Sequence, residues 1–341
     1  MKKEQWDIIK KCANMQLLDA QPIALIVDSP WIPGYLGISM MDYYTMPDVW
    51  LDANLKVENA FPDVVFLPGF WAEVGMCVEP SGFGCRTRLF HDRTPMVYPL
   101  IRSLEEVDRL ATPNPLTDGF MPFMLNLYRN IEPRVNDAGQ VIKIVAARGP
   151  MATAAHLVGV TNFLIGLKVN PKESHRIMRI ATDLSKAWLE AQANVLQAVE
   201  GIMLLDDIVG FLGDRDYLEF AHPYYSEIFN AFPEAIKLFH NDMDNPTSFK
   251  YLRDWPIDIF NFSHKIDIKV ARKLVGPDIC LMGNVPPLEA LLQGSPAEVY
   301  EATKVCLAAH PQNGLLLSAG GGVSPGTPGE NIQAMVNAAR G

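Results

Sequence analysis

The chain has 341 residues, of which 49% are hydrophobic and 20% are charged. That balance supplies enough apolar side chains for a sizeable core and excludes an intrinsically disordered chain. The 29 Lys and Arg residues are outnumbered by 39 Asp and Glu residues, which gives a formal net charge of -10. This acidic excess argues against a nucleic-acid partner, because neutralising phosphates requires clustered cations.

Short apolar runs recur along the chain, and a helical pattern follows each of them. Continuous apolar runs are typical of strands in a parallel sheet that helices cover on both faces. Eight such runs predict strands, at 23–27, 64–67, 142–146, 201–205, 236–239, 258–262, 279–282 and 314–317. Because no linker or change of composition divides the chain, we predict one α/β domain over residues 1–341, a (β/α)8 TIM barrel.

An open, doubly wound sheet is the alternative architecture for this alternation of strands and helices. It is disfavoured because no Gly-x-Gly-x-x-Gly motif follows the first predicted strand. The segment at about 70–99 departs from the alternation, with Gly75, Gly82 and Gly84 and little periodicity. We predict a small hairpin or loop near the site there, since long connections of this kind are seldom without function.

The cysteines and the N-terminal segment indicate the cellular compartment. Five cysteines are scattered along the chain without a Cys-x-x-Cys pair, which indicates reduced thiols. The first residues form a charged, amphipathic pattern and lack the apolar core of a signal peptide. No apolar run approaches the ~20 residues that cross a bilayer. We therefore expect a cytoplasmic protein without a membrane partner.

Polar side chains stand where the predicted strands end. In a (β/α)8 barrel the loops after the strands bring side chains from all eight strands together, so that chemistry occurs at that end. The polar residues at these positions include Asp28, Arg148, Asp206, Asp207, His240, Asp242, Asn261 and Ser318.

His240 and Asp242 form the sharpest pair among these residues. Side chains two residues apart point to the same side of an extended chain. An imidazole and a carboxylate in that arrangement can share a metal ion or a proton. The alternative is a histidine that a neighbouring acid satisfies within the barrel mouth.

The remaining strand-end residues support the same site. Asp206 and Asp207 close an apolar strand, so at least one of them is expected to point into the barrel mouth. Arg148 precedes a Gly-Pro pair and would either grip an anionic substrate group or form an ion pair with a neighbouring acid. Glu219 lies on the next predicted helix, where a solvated acid is the ordinary outcome.

The order of these motifs resembles the uroporphyrinogen decarboxylase superfamily, which implies a (β/α)8 barrel. The resemblance covers nearly the whole chain and is most specific from His240 to Asn331. The motifs that carry it are Arg148-Gly-Pro, Leu205-Asp-Asp, His240-Asn-Asp, Gly283-Asn-Val-Pro-Pro, Leu317-Ser-Ala-Gly and Thr327-Pro-Gly-Glu-Asn.

This superfamily contains two chemistries. Its decarboxylases hold a polycarboxylate macrocycle with arginines near the N-terminus, whereas no arginine precedes Arg86 here. Carboxylates buried without cations are unstable, which weighs against a porphyrinogen substrate. The second branch comprises methyltransferases that use zinc and exchange a methyl group with a cobalamin-carrying protein.

The resemblance also implies a modified zinc site. Thiol-methylating members bind zinc through His-x-Cys and a distant cysteine; here His240 keeps the histidine place, Asp242 replaces the first cysteine and Gly321 falls at the second. We therefore expect an oxygen-rich site with His240, Asp242 and either Asp206 or Asp207 as ligands and Glu219 as a further candidate. Oxygen ligands leave zinc more electrophilic, which favours polarising a methyl ether over activating a thiol. The alternative is a metal-free site in which His240 or an aspartate acts as an acid or base or only binds the substrate.

We predict a corrinoid-dependent methyltransferase that moves a methyl group between a small substrate and cobalamin on a carrier protein. The alternatives are a uroporphyrinogen decarboxylase-like decarboxylase and a catalytically silent relative that binds a tetrapyrrole or a corrinoid. A symmetric homodimer is the commonest assembly for such enzymes. The predicted catalytic residues are His240, Asp242, Asp206 and Asp207, and the predicted substrate contacts are Arg148, Asn261 and Ser318.

Overall fold

A computed structural model describes residues 1–27, 30–309 and 313–341 of the chain, so that Asp28 lies outside the described residues. Eight parallel strands alternate with helices, which confirms the predicted α/β class. Their bounds are β1 Ala24–Ile26, β2 Val65–Leu67, β3 Ile144–Arg148, β4 Gly201–Leu205, β5 Ile236–Asn241, β6 Ile259–Phe262, β7 Cys280–Val285 and β8 Leu315–Ala319.

The helices of eight residues or more form the outer layer and the two ends of the chain. Their bounds are α1 Lys3–Ala13, α2 Pro47–Ala60, α3 Met121–Asp137, α4 Pro150–Val158, α5 Val160–Val169, α6 Pro171–Val195, α7 His222–Asn230, α8 Ile268–Val275, α9 Pro296–Ala309 and α10 Gly329–Arg340. The remaining helical segments are the nine-residue 3₁₀ helix Pro246–Asp254 and the shorter segments Trp31–Leu36, Met40–Thr45, Val78–Gly82, Leu104–Arg109, Ile208–Phe211, Asp214–Asp216, Tyr217–Ala221 and Pro287–Leu292.

The strands follow one another around a TIM barrel. Parallel ladders join β3 to β8 in chain order, and a separate parallel ladder joins β1 to β2. Bridges at Ile23–Leu317 and Ile26–Gly322 connect the first strand region to the last. In the described ranges no ladder joins β2 to β3, so the hydrogen-bonded sheet runs from β2 through β1 and β8 round to β3.

Side chains along each strand alternate between two hydrophobic clusters. In β1, Ala24 and Ile26 belong to the cluster inside the barrel, whereas Leu25 belongs to the cluster between the strands and the helices. The inner cluster also contains Trp6 of α1, whose ring lies against Gly201 at the start of β4, so that α1 covers the amino-terminal end of the barrel. Both faces of the strands are therefore buried, which explains their continuous apolar runs.

The irregular segment after β2 contains the predicted hairpin. Thr87–Arg88 pairs antiparallel with Met96–Val97, and the short helix Val78–Gly82 precedes this ribbon. In the described part of the chain, no single helix has the length and hydropathy to span a membrane. Only α4 and α5 taken together do so by length and composition, and they are bent by 104° at the break between them.

Candidate functional site

Three side chains meet where β4 and β5 end. Asp207, His240 and Asp242 each offer one ligand atom, and these atoms lie within 4.8 Å of one another. His240 Nε2 is 3.4 Å from Asp207 Oδ1, which also accepts a hydrogen bond from the backbone N–H of Asp242 at 3.1 Å. The strand register pairs Leu205 with His240, which places the residues after β4 beside those of β5.

The alternation of side chains decides which strand-end residues face the barrel interior. Leu205 and Leu238 belong to the inner cluster, so Asp207 and His240, each two residues further on, point to the same side. Ile259 belongs to that cluster as well, which directs Asn261 inwards. Because successive side chains of a strand alternate between its two faces, Asp206 points to the opposite side, towards the helices.

Asn261 fixes the orientation and the tautomer of His240. Its Nδ2 donates to the carbonyl oxygens of Met282 at 2.9 Å and of Ala319 at 3.2 Å, which identifies Oδ1 as the acceptor that lies 2.7 Å from His240 Nδ1. Nδ1–H therefore donates to Asn261, and Nε2 faces the carboxylate of Asp207 at 3.4 Å. Metal-binding histidines are held in this way by a hydrogen bond to the other ring nitrogen.

The electrostatics of this group favour a bound cation. Burial raises the pKa of Asp242, the nearby charge of Asp207 raises it further, and His240 opposes the shift. Two carboxylates and a neutral imidazole nitrogen are a donor set that suits zinc. The residues present therefore fit the metal that the family resemblance implies.

Gly321 lies directly against this group. A Cβ atom at Gly321 would lie 2.5 Å from Asp242 Oδ2, and the φ angle of this residue is +127°. The position that the resemblance assigns to a distant cysteine is therefore beside Asp242, but it carries no side chain. The space is occupied by the Asp242 carboxylate.

Asp206, which the sequence predicts as a catalytic residue, is buried and is not among the residues that line the barrel mouth. Its buried carboxylate accepts hydrogen bonds from the Tyr225 hydroxyl at 2.5 Å, from Ala152 N at 2.9 Å and from Ile208 N at 3.1 Å. Burial raises the pKa of Asp206 to about 7. These contacts make Asp206 a structural link between β4, α4 and α7.

Glu219, the further candidate ligand, is not part of the group of Asp207, His240 and Asp242. It sits in Tyr217–Ala221, where its carboxylate is 3.8 Å from His175 Nε2 and 3.9 Å from Arg215 Nε. Ser318 is fully buried, and its Oγ makes no hydrogen bond within the described part of the chain. Ser318 is not among the residues that line the cavity at the barrel mouth.

A cavity of about 470 Å³ opens at the barrel mouth beside the three side chains, and a second cavity of about 150 Å³ adjoins it. The residues that line both cavities are Pro30, Met76, Arg148 and His156. The larger cavity is otherwise mostly apolar, with Ile26, Leu205 and Val323 in its wall. Asp207, His240 and Asp242 therefore form a polar part of the lining, called the floor of the cavity, and most of the remaining lining is apolar.

Arg148 forms an ion pair with a neighbouring acid, which is one of the two roles predicted for it. Its guanidinium Nη2 is 3.1 Å from Glu73 Oε2, and the guanidinium carbon lies 4.8 Å from the centre of the Trp71 ring. Its backbone N–H donates to Glu79 Oε1 at 2.8 Å. Both acids come from the irregular segment after β2, where the sequence offered no periodic signal.

His156 is a cavity residue that the sequence reasoning passed over. Burial lowers the pKa of His156 to about 4, and the charge of Arg148 lowers it further. The ring is therefore neutral at pH 7. A usable signal existed, because α4 begins directly after β3 and its first turns must lie beside the barrel mouth.

Comparisons with known proteins agree with this fold and with two chemistries. A methylated-thiol–coenzyme M methyltransferase of Methanosarcina mazei is 26% identical over 255 residues, 73% of this chain and 65% of that protein. A uroporphyrinogen decarboxylase of Chlorobaculum tepidum is 27% identical over 272 residues, 76% of this chain and 75% of that protein.

The fold has a solved counterpart. A structure described as a methyltransferase from Methanosarcina mazei matches with a TM-score of 0.81 at 20% identity and covers 97% of both chains. The profile of the family described as Uroporphyrinogen decarboxylase (URO-D) matches residues 35–341. The chain therefore belongs to the uroporphyrinogen decarboxylase family of enzymes.

Proposed function

We propose that this protein is a methyltransferase of a corrinoid-dependent system, which moves a methyl group between a small methyl ether or similar donor and cobalamin on a carrier protein. The observation that carries the proposal is the group of Asp207, His240 and Asp242 at the floor of the cavity, with His240 Nδ1 held by Asn261 so that Nε2 faces the two carboxylates. Similarity to the methyltransferase of Methanosarcina mazei supports the same reaction class.

The residues of the chain would divide the work as follows. Asp207, His240 and Asp242 would hold zinc, and Asn261 would keep the His240 ring in its ligating orientation. Zinc held there supplies a Lewis acid that polarises a donor oxygen. The apolar wall, including Ile26 and Val323, would exclude water from the transferring methyl group.

The rim of the cavity offers a surface for the carrier protein. Met76 and Val160 line the cavity, and they are 48% and 43% exposed. Exposed apolar side chains around an opening are typical of surfaces that another protein covers. A carrier docked on this rim would present its cobalamin to the floor of the cavity.

A decarboxylase is the second candidate, because the relative from Chlorobaculum tepidum matches over 75% of its own length. Within the described residues, however, Arg148 is the only Lys or Arg in the lining of either cavity, and it is paired with Glu73. A polycarboxylate substrate needs more cations than this lining provides. Incubation with uroporphyrinogen followed by product chromatography is expected to show no turnover.

The methyltransferase proposal is tested by metal content and methyl transfer together. We would measure zinc by mass spectrometry, and methylcobalamin formation from 2-methoxyphenol and cob(I)alamin by absorbance, in wild type and in His240→Ala. The variant is expected to lose its zinc and at least about a hundredfold in rate. Glu219→Gln is the matched control and should keep both.

Two results would contradict the zinc role. One is unchanged turnover in His240→Ala, and the other is full activity in protein stripped of metal by a chelator. A catalytically silent relative would instead bind cobalamin in a spectral titration while no methylated donor reacts.

A further inference from the structure

We propose that the ion pair between Glu73 and Arg148 makes this cavity selective for uncharged substrates and excludes anionic ones. The inference rests on the proposed function, since it names the substrate class of the same site. It gives Glu73 a specificity-determining role that follows from its contact with Arg148.

Among the described residues that line the two cavities, Arg148 is the only lysine or arginine. Enzymes usually hold carboxylate, sulfonate or phosphate groups of a substrate with such a side chain. Any grip on an anion would therefore have to come from Arg148.

The positive charge of Arg148 is already paired with the carboxylate of Glu73. Glu73 Oε2 lies 3.1 Å from the guanidinium, and the two side chains are only 4% and 9% exposed. The Trp71 ring lies 4.8 Å from the guanidinium carbon and adds a second favourable contact. An incoming anion would have to compete with a desolvated carboxylate that the fold holds in place, or displace it.

The remaining polar groups of the lining include two acids and a histidine. Asp207 and Asp242 are acidic, and burial keeps His156 neutral by lowering its pKa to about 4. A divalent cation between the two aspartates would balance their charges and leave no positive excess for an anion. Apart from Glu73, His240, Ser324 and Thr94, the rest of the lining is apolar, as Leu205 and Val323 illustrate. An uncharged molecule therefore meets neither repulsion nor a desolvation penalty for a charge.

A matched pair of probes tests this selectivity by isothermal titration calorimetry. The anionic probe is 2-methoxyethanesulfonate, and the neutral probe is 2-methoxyethyl methyl sulfone, which has nearly the same shape. Wild type is expected to bind the sulfone at least about tenfold more tightly than the sulfonate. Wild-type protein that prefers the sulfonate, binds both equally or fails to bind the sulfone would overturn the proposal, whatever the variants do.

The variants assign the selectivity to Glu73. In Glu73→Gln the guanidinium loses its anionic partner, so that the affinity for the sulfonate should rise at least about tenfold while that for the sulfone changes less than about twofold. Glu73→Asp keeps the negative charge and should behave as wild type. Arg148→Met added to Glu73→Gln should remove the gain.

A folded Glu73→Gln variant without a gain for the sulfonate would overturn the role of Glu73. These titrations involve no methyl transfer, so failure of the proposed function would appear separately, as absent methylcobalamin in protein that still prefers the neutral probe.

Discussion

At the ends of β4 and β5, the carboxylates of Asp207 and Asp242 lie beside His240, and no lysine lines the cavity among the described residues. At the ends of β2 and β3, by contrast, Arg148 pairs with Glu73 at 3.1 Å, and its backbone N–H donates to a second buried acid. The two regions adjoin at the same mouth, and of the two only the second contains an arginine among the described residues of the lining.

The difference separates reactivity from selectivity. Under the proposed function, the group of Asp207, His240 and Asp242 would hold a metal and would form the reactive region of the cavity. An ion pair closed within the wall offers a ligand no net charge, and it therefore decides which ligands are accepted.

The largest effect on stability is expected from replacing Asp206, the first of the two aspartates that follow β4. Asp206→Ala would leave the Tyr225 hydroxyl and the N–H groups of Ala152 and Ile208 without their acceptor. Each buried unsatisfied donor costs ~1–3 kcal/mol, so we expect a loss of ~3–5 kcal/mol in the free energy of unfolding. Urea unfolding followed by circular dichroism measures it.

Asp207→Ala is the matched comparison, because the Asp207 side chain is 43% exposed. We expect its stability to change by less than ~1 kcal/mol while its zinc is lost. Equal destabilisation by the two substitutions would show that Asp207 is as structural as Asp206 and would contradict its assignment to the metal-binding group.

The second prediction concerns the pH dependence of stability. Burial lowers the pKa of His156 from 6.5 to about 4, so the folded protein keeps the ring neutral where the unfolded chain binds a proton. The contribution of His156 is therefore fully present above about pH 6.5 and is lost as the pH falls towards 4. The shift corresponds to ~3 kcal/mol.

His156→Gln removes this titration. Unfolding free energies measured between pH 7 and pH 4 should fall less steeply in the variant than in wild type, by ~3 kcal/mol over the whole interval. If the free energies of unfolding of the two proteins fell equally with pH, His156 would be solvated, and the argument that burial keeps its ring neutral beside Arg148 would be wrong.

The sequence was sufficient for the eight strands, because a closed parallel barrel buries both faces of each strand and leaves continuous apolar runs. It placed the end of β3 too early, since Arg148 keeps its place in the ladder opposite Leu205 although its side chain is polar. The same alternation could have separated Asp207 from Asp206, because Leu205 already faces inwards.

The contacts of the site were harder to obtain from the sequence. Asn261 stood out as a polar strand end, but its contact with His240 depends on the register between β5 and β6. Glu73 lies in a segment without periodicity, and only the folded chain brings it to Arg148, 75 residues away. Glu219 was misplaced because distance along the chain does not show on which side of the strands a helix lies.

The third prediction concerns the hydrogen bond by which Asn261 holds His240 in the reactive region. Asn261→Leu removes the oxygen that accepts the Nδ1 proton of His240, while Asn261→Asp keeps an acceptor there. Loss of such a partner typically lowers metal affinity 10- to 100-fold, and we expect about that loss for leucine and a smaller one for aspartate. Competition with a fluorescent zinc chelator measures both, and equal affinity in Asn261→Leu and wild type would contradict the role.

The smallest effect is expected at Gly321, where the reactive region is most tightly packed. An alanine Cβ would lie 2.5 Å from Asp242 Oδ2, on a residue whose φ angle of +127° disfavours any side chain. Gly321→Ala should therefore cost ~1–2 kcal/mol of stability and displace the Asp242 carboxylate, which weakens zinc binding. Gly322→Ala is the neighbouring control, because the nearest atom to its added Cβ would be 3.9 Å away. If the two substitutions lowered zinc affinity equally, the close approach of Gly321 to Asp242 would not be what shapes the site.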